Sequence, residues 1–224
     1  MNYLYDSQYS LNGWWGESLT PEAWFDDGLT SGGGGGSNWS LDAISTVDDT
    51  SYGASSVTLS HTVASGADLL TVSIALWKDV GPVDVLSVTY DGVALSQAGP
   101  DAGAFNMLSY VYYLVNPNPG THNVVINMEP TGDSISHKIG VASFFATGGT
   151  PVIDDDAQAT GSSSPITGAL TASVADTLSV DSVSNFSANP LTIDAAQTTI
   201  QNDLSLGVTG ASSYKINPSS GTVT

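Results

Sequence analysis

From about Ser37 onward, apolar residues recur at every second position in short runs broken by turn residues, with no stretch of helical spacing. Leu70, Val72, Ile74 and Leu76 alternate with Thr71, Ser73 and Ala75, the period of a strand with one buried face. Val83 to Tyr90 predicts another strand, and Asp91-Gly92 after it is a strong hairpin signal, because both residues tolerate the positive φ of a two-residue turn. Leu108 to Val115 carries Leu or Tyr on one face and Val or Tyr on the other, which predicts burial on both. Asn116-Pro117-Asn118-Pro119-Gly120 reads as a rigid turn. Further strands are expected at His122–Met128, Lys138–Ala146, Pro165–Ala172, Thr177–Ser184, Leu191–Gln201, Asp203–Val208, Tyr214–Ile216 and Thr222–Thr224. Many short strands with frequent turn signals predict an all-β fold, an antiparallel two-sheet β-sandwich of jelly-roll or immunoglobulin-like type.

The leading stretch is different in kind. Residues 1–39 hold eight of the 19 aromatic residues and four of the five tryptophans. Thr20-Pro21-Glu22-Ala23-Trp24-Phe25-Asp26-Asp27-Gly28 predicts one short helix, with Thr20 as cap, Pro21 at the first helical position and Gly28 at the end. Ser31 and the run Gly32 to Gly36 then read as a linker with no side chains to pack. The expected organisation is an anchoring arm over 1–30, a glycine-rich linker over 31–37 and a sandwich over 38–224. Tyr3, Tyr5, Trp14, Trp15, Trp24 and Phe25 are the candidate partner-binding residues, since large rings supply contact area at low entropy cost. The competing reading folds the same arm back over an edge of its own sandwich.

Charge narrows the function classes. There are 22 acidic residues, three lysines and no arginine, for a formal charge of −19. Nucleic-acid binding runs on clustered Lys and Arg, so it is excluded as an expectation, and adhesion to anionic lipid fails for the same reason. No apolar run approaches the ~20 residues of a membrane-spanning helix. Without cysteine there can be no disulfide, thiolate metal site or cysteine nucleophile.

Candidate chemistry is thin. His61, His122 and His137 lack metal-ligand spacing, and His122, at a strand start, is expected to bond within a turn. No Gly-x-Ser-x-Gly elbow is present, and with so many carboxylates any pair could mimic a glycosidase couple. Asp154, Asp155 and Asp156, like the pairs Asp26-Asp27 and Asp48-Asp49, offer clustered oxygens of the kind calcium takes, without calcium-loop spacing. The expectation is a solvated acidic loop, no catalytic residues and no required cofactor, calcium being the ion to test.

The series Ala67-Asp68-Leu69-Leu70-Thr71-Val72-Ser73-Ile74, Ser87-Val88-Thr89-Tyr90-Asp91-Gly92-Val93-Ala94-Leu95, Val111-Tyr112-Tyr113-Leu114-Val115-Asn116-Pro117 with Gly120-Thr121-His122, and Gly140-Val141-Ala142-Ser143-Phe144 resembles a β-sandwich module. Such modules occur in secreted bacterial proteins and in bacteriophage fibre and other virion proteins. The resemblance covers Ser55 to Ser184, more loosely to Thr224, and excludes the arm. It implies a sandwich with a display or adhesion role and transfers no catalytic residue. A body rich in Ser, Thr, Gly, Ala and Asn behind an N-terminus with neither basic nor apolar leader segment suits a virion assembled inside a host. The expected protein is therefore a non-enzymatic virion component, a capsid decoration, spike or fibre head. It would be anchored on other virion proteins by its arm and assembled as a homo-oligomer, with a trimer suggested by analogy. The alternative is a carbohydrate-binding or adhesive module at a cell surface, meeting host glycan.

Overall fold

The computed structural model describes residues 38–224 apart from 53–54, 79–83, 100–101, 105–106, 130–133, 148–149, 153, 155, 157–169, 173–174, 187–190, 206–207, 218–220 and 224. Ser37–Thr224 makes up one unit of the chain. The expected helix over 20–28 and the glycine tract fall outside the described residues.

Among the described residues all the regular structure is antiparallel β. The largest sheet runs β1 (Trp39–Tyr52), β10 (Ser134–Ala146), β3 (Leu69–Lys78), β8 (Met107–Val115), β6 (Ser96–Gln97), with β7 (Ala102–Ala104) also paired to β8. A four-stranded sheet runs β2 (Ser56–Val63), β9 (Gly120–Met128), β4 (Val85–Tyr90), β5 (Val93–Ala94). A three-stranded sheet runs β12 (Thr177–Phe186), β14 (Val208–Asn217), β13 (Thr198–Ser205), and β11 (Leu170–Ala172) pairs with β15 (Gly221–Val223).

Two sheets face each other across the main core, as a sandwich requires. Leu70, Val72, Ile74 and Leu76 of β3, Ile139 and Val141 of β10, and Leu108, Tyr110 and Tyr112 of β8 meet Val57 and Leu59 of β2, Val124 and Ile126 of β9, and Val88 and Tyr90 of β4. Burial along β2 alternates perfectly, so its other face is open to water. Asp91 (φ 51°) and Gly92 (φ 76°) form the expected two-residue turn between β4 and β5.

A third layer was not announced by the alternation. The three-stranded sheet covers the other face of the largest sheet, where Leu69, Ala142 and Phe144 join Ile200 and Tyr214 in a second apolar cluster flanked by Leu178, Val180 and Ile216. The half-buried reading of β3 is accordingly corrected: Thr71, Ser73 and Ala75 are buried too. These residues are small, so the layers approach closely, and the Thr71 and Ser73 hydroxyls bond to main chain. Thr71 Oγ1 donates to Ala142 O (3.3 Å), within its own sheet, while Ser73 Oγ crosses the layer to Asp181 O (3.2 Å) and Ser182 Oγ returns the contact to Ile74 O (3.1 Å). A Cβ at Gly140 would stand 2.7 Å from both Ile200 Cγ2 and Ser212 Oγ, so glycine is needed for this approach.

Trp39 falls in β1, inside the expected sandwich span, and its indole N–H donates to Asp176 O (2.8 Å), tying the start of β1 to the start of β12. One other expectation changes. The strands expected at Leu191–Gln201, Asp203–Val208 and Tyr214–Ile216 become a single hairpin, β13 and β14. Residues 191–197 run outside it, held where Asn202 clasps both the N–H and the C=O of Leu191.

Candidate functional site

Serine, histidine and aspartate do converge at one place. A bulge between Leu41 and Ala43 in β1 releases Asp42 from the ladder, and its Oδ2 accepts from Ser143 Oγ of β10 (2.7 Å) and from the Ala64 N–H (2.9 Å). His61 of β2 reaches across the core, with Nε2 3.1 Å from Ser143 Oγ and Nδ1 2.9 Å from Ser45 Oγ. Because a carboxylate only accepts, the Ser143 proton is committed to Asp42. His61 therefore donates through Nε2 and accepts the Ser45 hydroxyl at Nδ1.

The wiring is not that of a nucleophilic triad. In a triad the histidine stands between serine and carboxylate, whereas here the carboxylate grips the serine and the far ring nitrogen faces a second hydroxyl. His61 is 1% exposed and Ser143 is 0%, so no substrate carbonyl could approach either. The cluster is a latch joining the two large sheets at one end. Its parts are scattered over positions 42, 45, 61 and 143, a pattern with no spacing for a motif search to detect.

Burial lowers the His61 pKa from its ordinary value, with the Asp42 charge opposing it. Below pH ~6.5 the unfolded chain takes up a proton here that the folded chain refuses, so stability falls as pH drops through that point. Thermal melts of the wild type and of His61→Gln across pH 7.5 to 5 should show a downward slope in the former that is reduced in the latter; parallel curves would refute the assignment.

Two further polar groups also act as structural ties, one buried and one half-buried. Lys138 of β10, 1% exposed, places Nζ 2.6 Å from Asp48 Oδ1 and 3.0 Å from Ser136 Oγ. Asp181 of β12 accepts from the Ser213 N–H (2.6 Å), from the Ser213 hydroxyl (2.8 Å) and from Gln197 Nε2 (2.8 Å). Burial raises its pKa and those hydrogen bonds pull it back, so its carboxylate opposes folding above the raised value and the cost fades as pH falls toward the ordinary range.

The surface has two distinct features. At one set of turns His122 Nδ1 lies 3.1 Å from Asp91 Oδ1, Asn118 Nδ2 donates to Asp91 Oδ2 (2.9 Å), and Tyr90 meets the imidazole edge-on at 5.5 Å. His122 Nε2 is 3.3 Å from Pro119 O, the turn role expected of it. The outer face of the four-stranded sheet presents Ser56, Thr58, Ser60 and Thr62 beside Thr121, Asn123, Val125 and Asn127, with Ser87 and Thr89 completing the rows. None of these side chains is ionisable, although the chain carries −19. Cross-strand pairs brace the face: Thr62 Oγ1 to Thr121 Oγ1 (2.8 Å) and Asn127 Nδ2 to Ser87 Oγ (2.9 Å).

Tyr3, Tyr5, Trp14, Trp15, Trp24 and Phe25 lie outside the described residues, as does Asp155. Asp154 and Asp156 are exposed, and Asp156 folds over Gly99, where a Cβ would stand 2.5 Å from its Oδ2. Among the described residues no three His, Asp or Glu side chains gather as a metal site. Comparison with protein-family models, curated proteins and solved structures finds no match to this chain.

Proposed function

We propose that this is a non-enzymatic structural protein of a virus particle, a scaffold displayed on the surface and anchored by its aromatic leading segment. One observation carries the non-enzymatic part: His61, Asp42, Lys138, Asp48 and Asp181, the groups best suited to chemistry, are each engaged in holding one strand or sheet to another. The virion part rests on sequence, on a ring-rich segment followed by five glycines ahead of a display-type sandwich. The −19 charge favours separated display sites over dense packing, since like-charged copies repel within about a Debye length.

Deleting residues 1–36 tests the anchor. The shortened chain should keep a β-type circular dichroism spectrum and stay soluble while no longer co-sedimenting with particles that carry the full chain. Unchanged particle association would overturn the proposal. A second reading has its own support, because the uncharged Ser/Thr/Asn face of the four-stranded sheet suits a neutral glycan, whose hydroxyls it could pair without charge. Binding of residues 37–224 to a glycan array, together with failure of the full chain to join particles, would favour that reading.

A further inference from the structure

We propose that Lys138 and Asp48 are joined by an intramolecular amide, a covalent cross-link between β10 and β1. The two residues are register partners on adjacent antiparallel strands, so their side chains leave the sheet on the same face. Nζ already lies 2.6 Å from Asp48 Oδ1, within reach of the carboxyl carbon, and Ser136 Oγ at 3.0 Å fixes its position. Holding two reacting groups in this way removes the entropic part of the barrier that makes the reaction negligible between free side chains.

The site is closed over the nitrogen and open at the carboxyl. A Cβ at Gly210 would stand 2.5 Å from Lys138 Cβ and Cγ, so the third sheet lies directly on the lysine stem and this glycine makes room for it. The Asp48 side chain retains 29% exposure, which gives departing water a path out. Burying the Lys138 ammonium carries a desolvation cost, and amide formation removes that charge from the interior.

The step balances without any co-reactant. One proton passes from the ammonium to the carboxylate, leaving amine and acid. The nitrogen lone pair adds to Cγ, a second nitrogen proton goes to the departing hydroxyl, and one water leaves as the Nζ–Cγ bond replaces a C–O bond. The location also has mechanical sense, which rests on the display reading. Tension arriving from the N-terminal side would peel β1 from β10 starting at the pair Trp39–Ala146, one hydrogen-bonded pair at a time, and the amide would stop that unzipping at Asp48.

Intact-mass measurement on the full chain, purified folded and then denatured, tests the link. After the termini are mapped, the wild type should be lighter than its sequence by one water, and digestion should release a branched peptide joining the Asp48 and Lys138 segments. Asp48→Ala and Lys138→Met should each run at full sequence mass. A wild type at full mass overturns the proposal. So does a deficit localised elsewhere, such as dehydration at Asp91-Gly92, or one that survives in either variant.

Discussion

Asp48→Ala is expected to lower folding stability by about 3–5 kcal/mol, because it removes the carboxylate that lies 2.6 Å from the ammonium of a fully buried lysine. The reciprocal change should be milder. Lys138→Met keeps an unbranched stem under Gly210 and returns the partly exposed Asp48 carboxylate to water, so its non-covalent cost should stay below about 1.5 kcal/mol. Urea unfolding midpoints of the two variants measure this asymmetry. Equal losses would show that Lys138 is not buried as described, whereas a Lys138→Met loss well above that bound would measure the cross-link itself.

Phe144→Ala should cost about 3–5 kcal/mol, the range for emptying a buried aromatic site. Phe144 is 0% exposed and meets the Tyr214 ring edge-on at 5.1 Å, at the centre of the cluster between the largest and the three-stranded sheets. Because Phe144 points away from the main core, the damage should be uneven. Hydrogen exchange should rise first in β12, β13 and β14, while β2 and β9 keep their protection. Equal loss of protection in both places would mean that the third sheet is not a separately seated layer.

Those two sites were legible to different degrees. The strand containing Phe144 could be read directly from its apolar residues, and so could β4, β8 and β9, because Asp91-Gly92 and the Asn116–Gly120 turn punctuate them. The pairing of Lys138 with Asp48 could not, since 90 positions separate two ordinary charged residues. One signal was available: Lys138 is one of three basic residues in the chain and interrupts a strand of otherwise uncharged inward and outward positions. An ionisable residue in such a place calls for a partner.

The latch shows the same divide. Asp42, His61 and Ser143 gain their roles from a bulge in β1 and from the facing of two sheets, which are long-range facts. Local periodicity sees one strand at a time and assigns each residue to a face, but it cannot say what covers that face. Hence Thr71, Ser73 and Ala75 read as solvent-facing when they in fact lie under a third sheet whose carbonyls and glycines accommodate them.

Alternation and turn chemistry alone determined that this chain forms antiparallel strands with Asp-Gly and Asn-Pro punctuation, because φ preferences and side-chain period act within a few residues. The third layer, the pairing of buried Lys138 with Asp48 and the inter-sheet latch were decided by tertiary structure. Hydroxyl and charged side chains can be buried only where a distant backbone or partner satisfies them, and only the folded chain brings those partners within bonding distance.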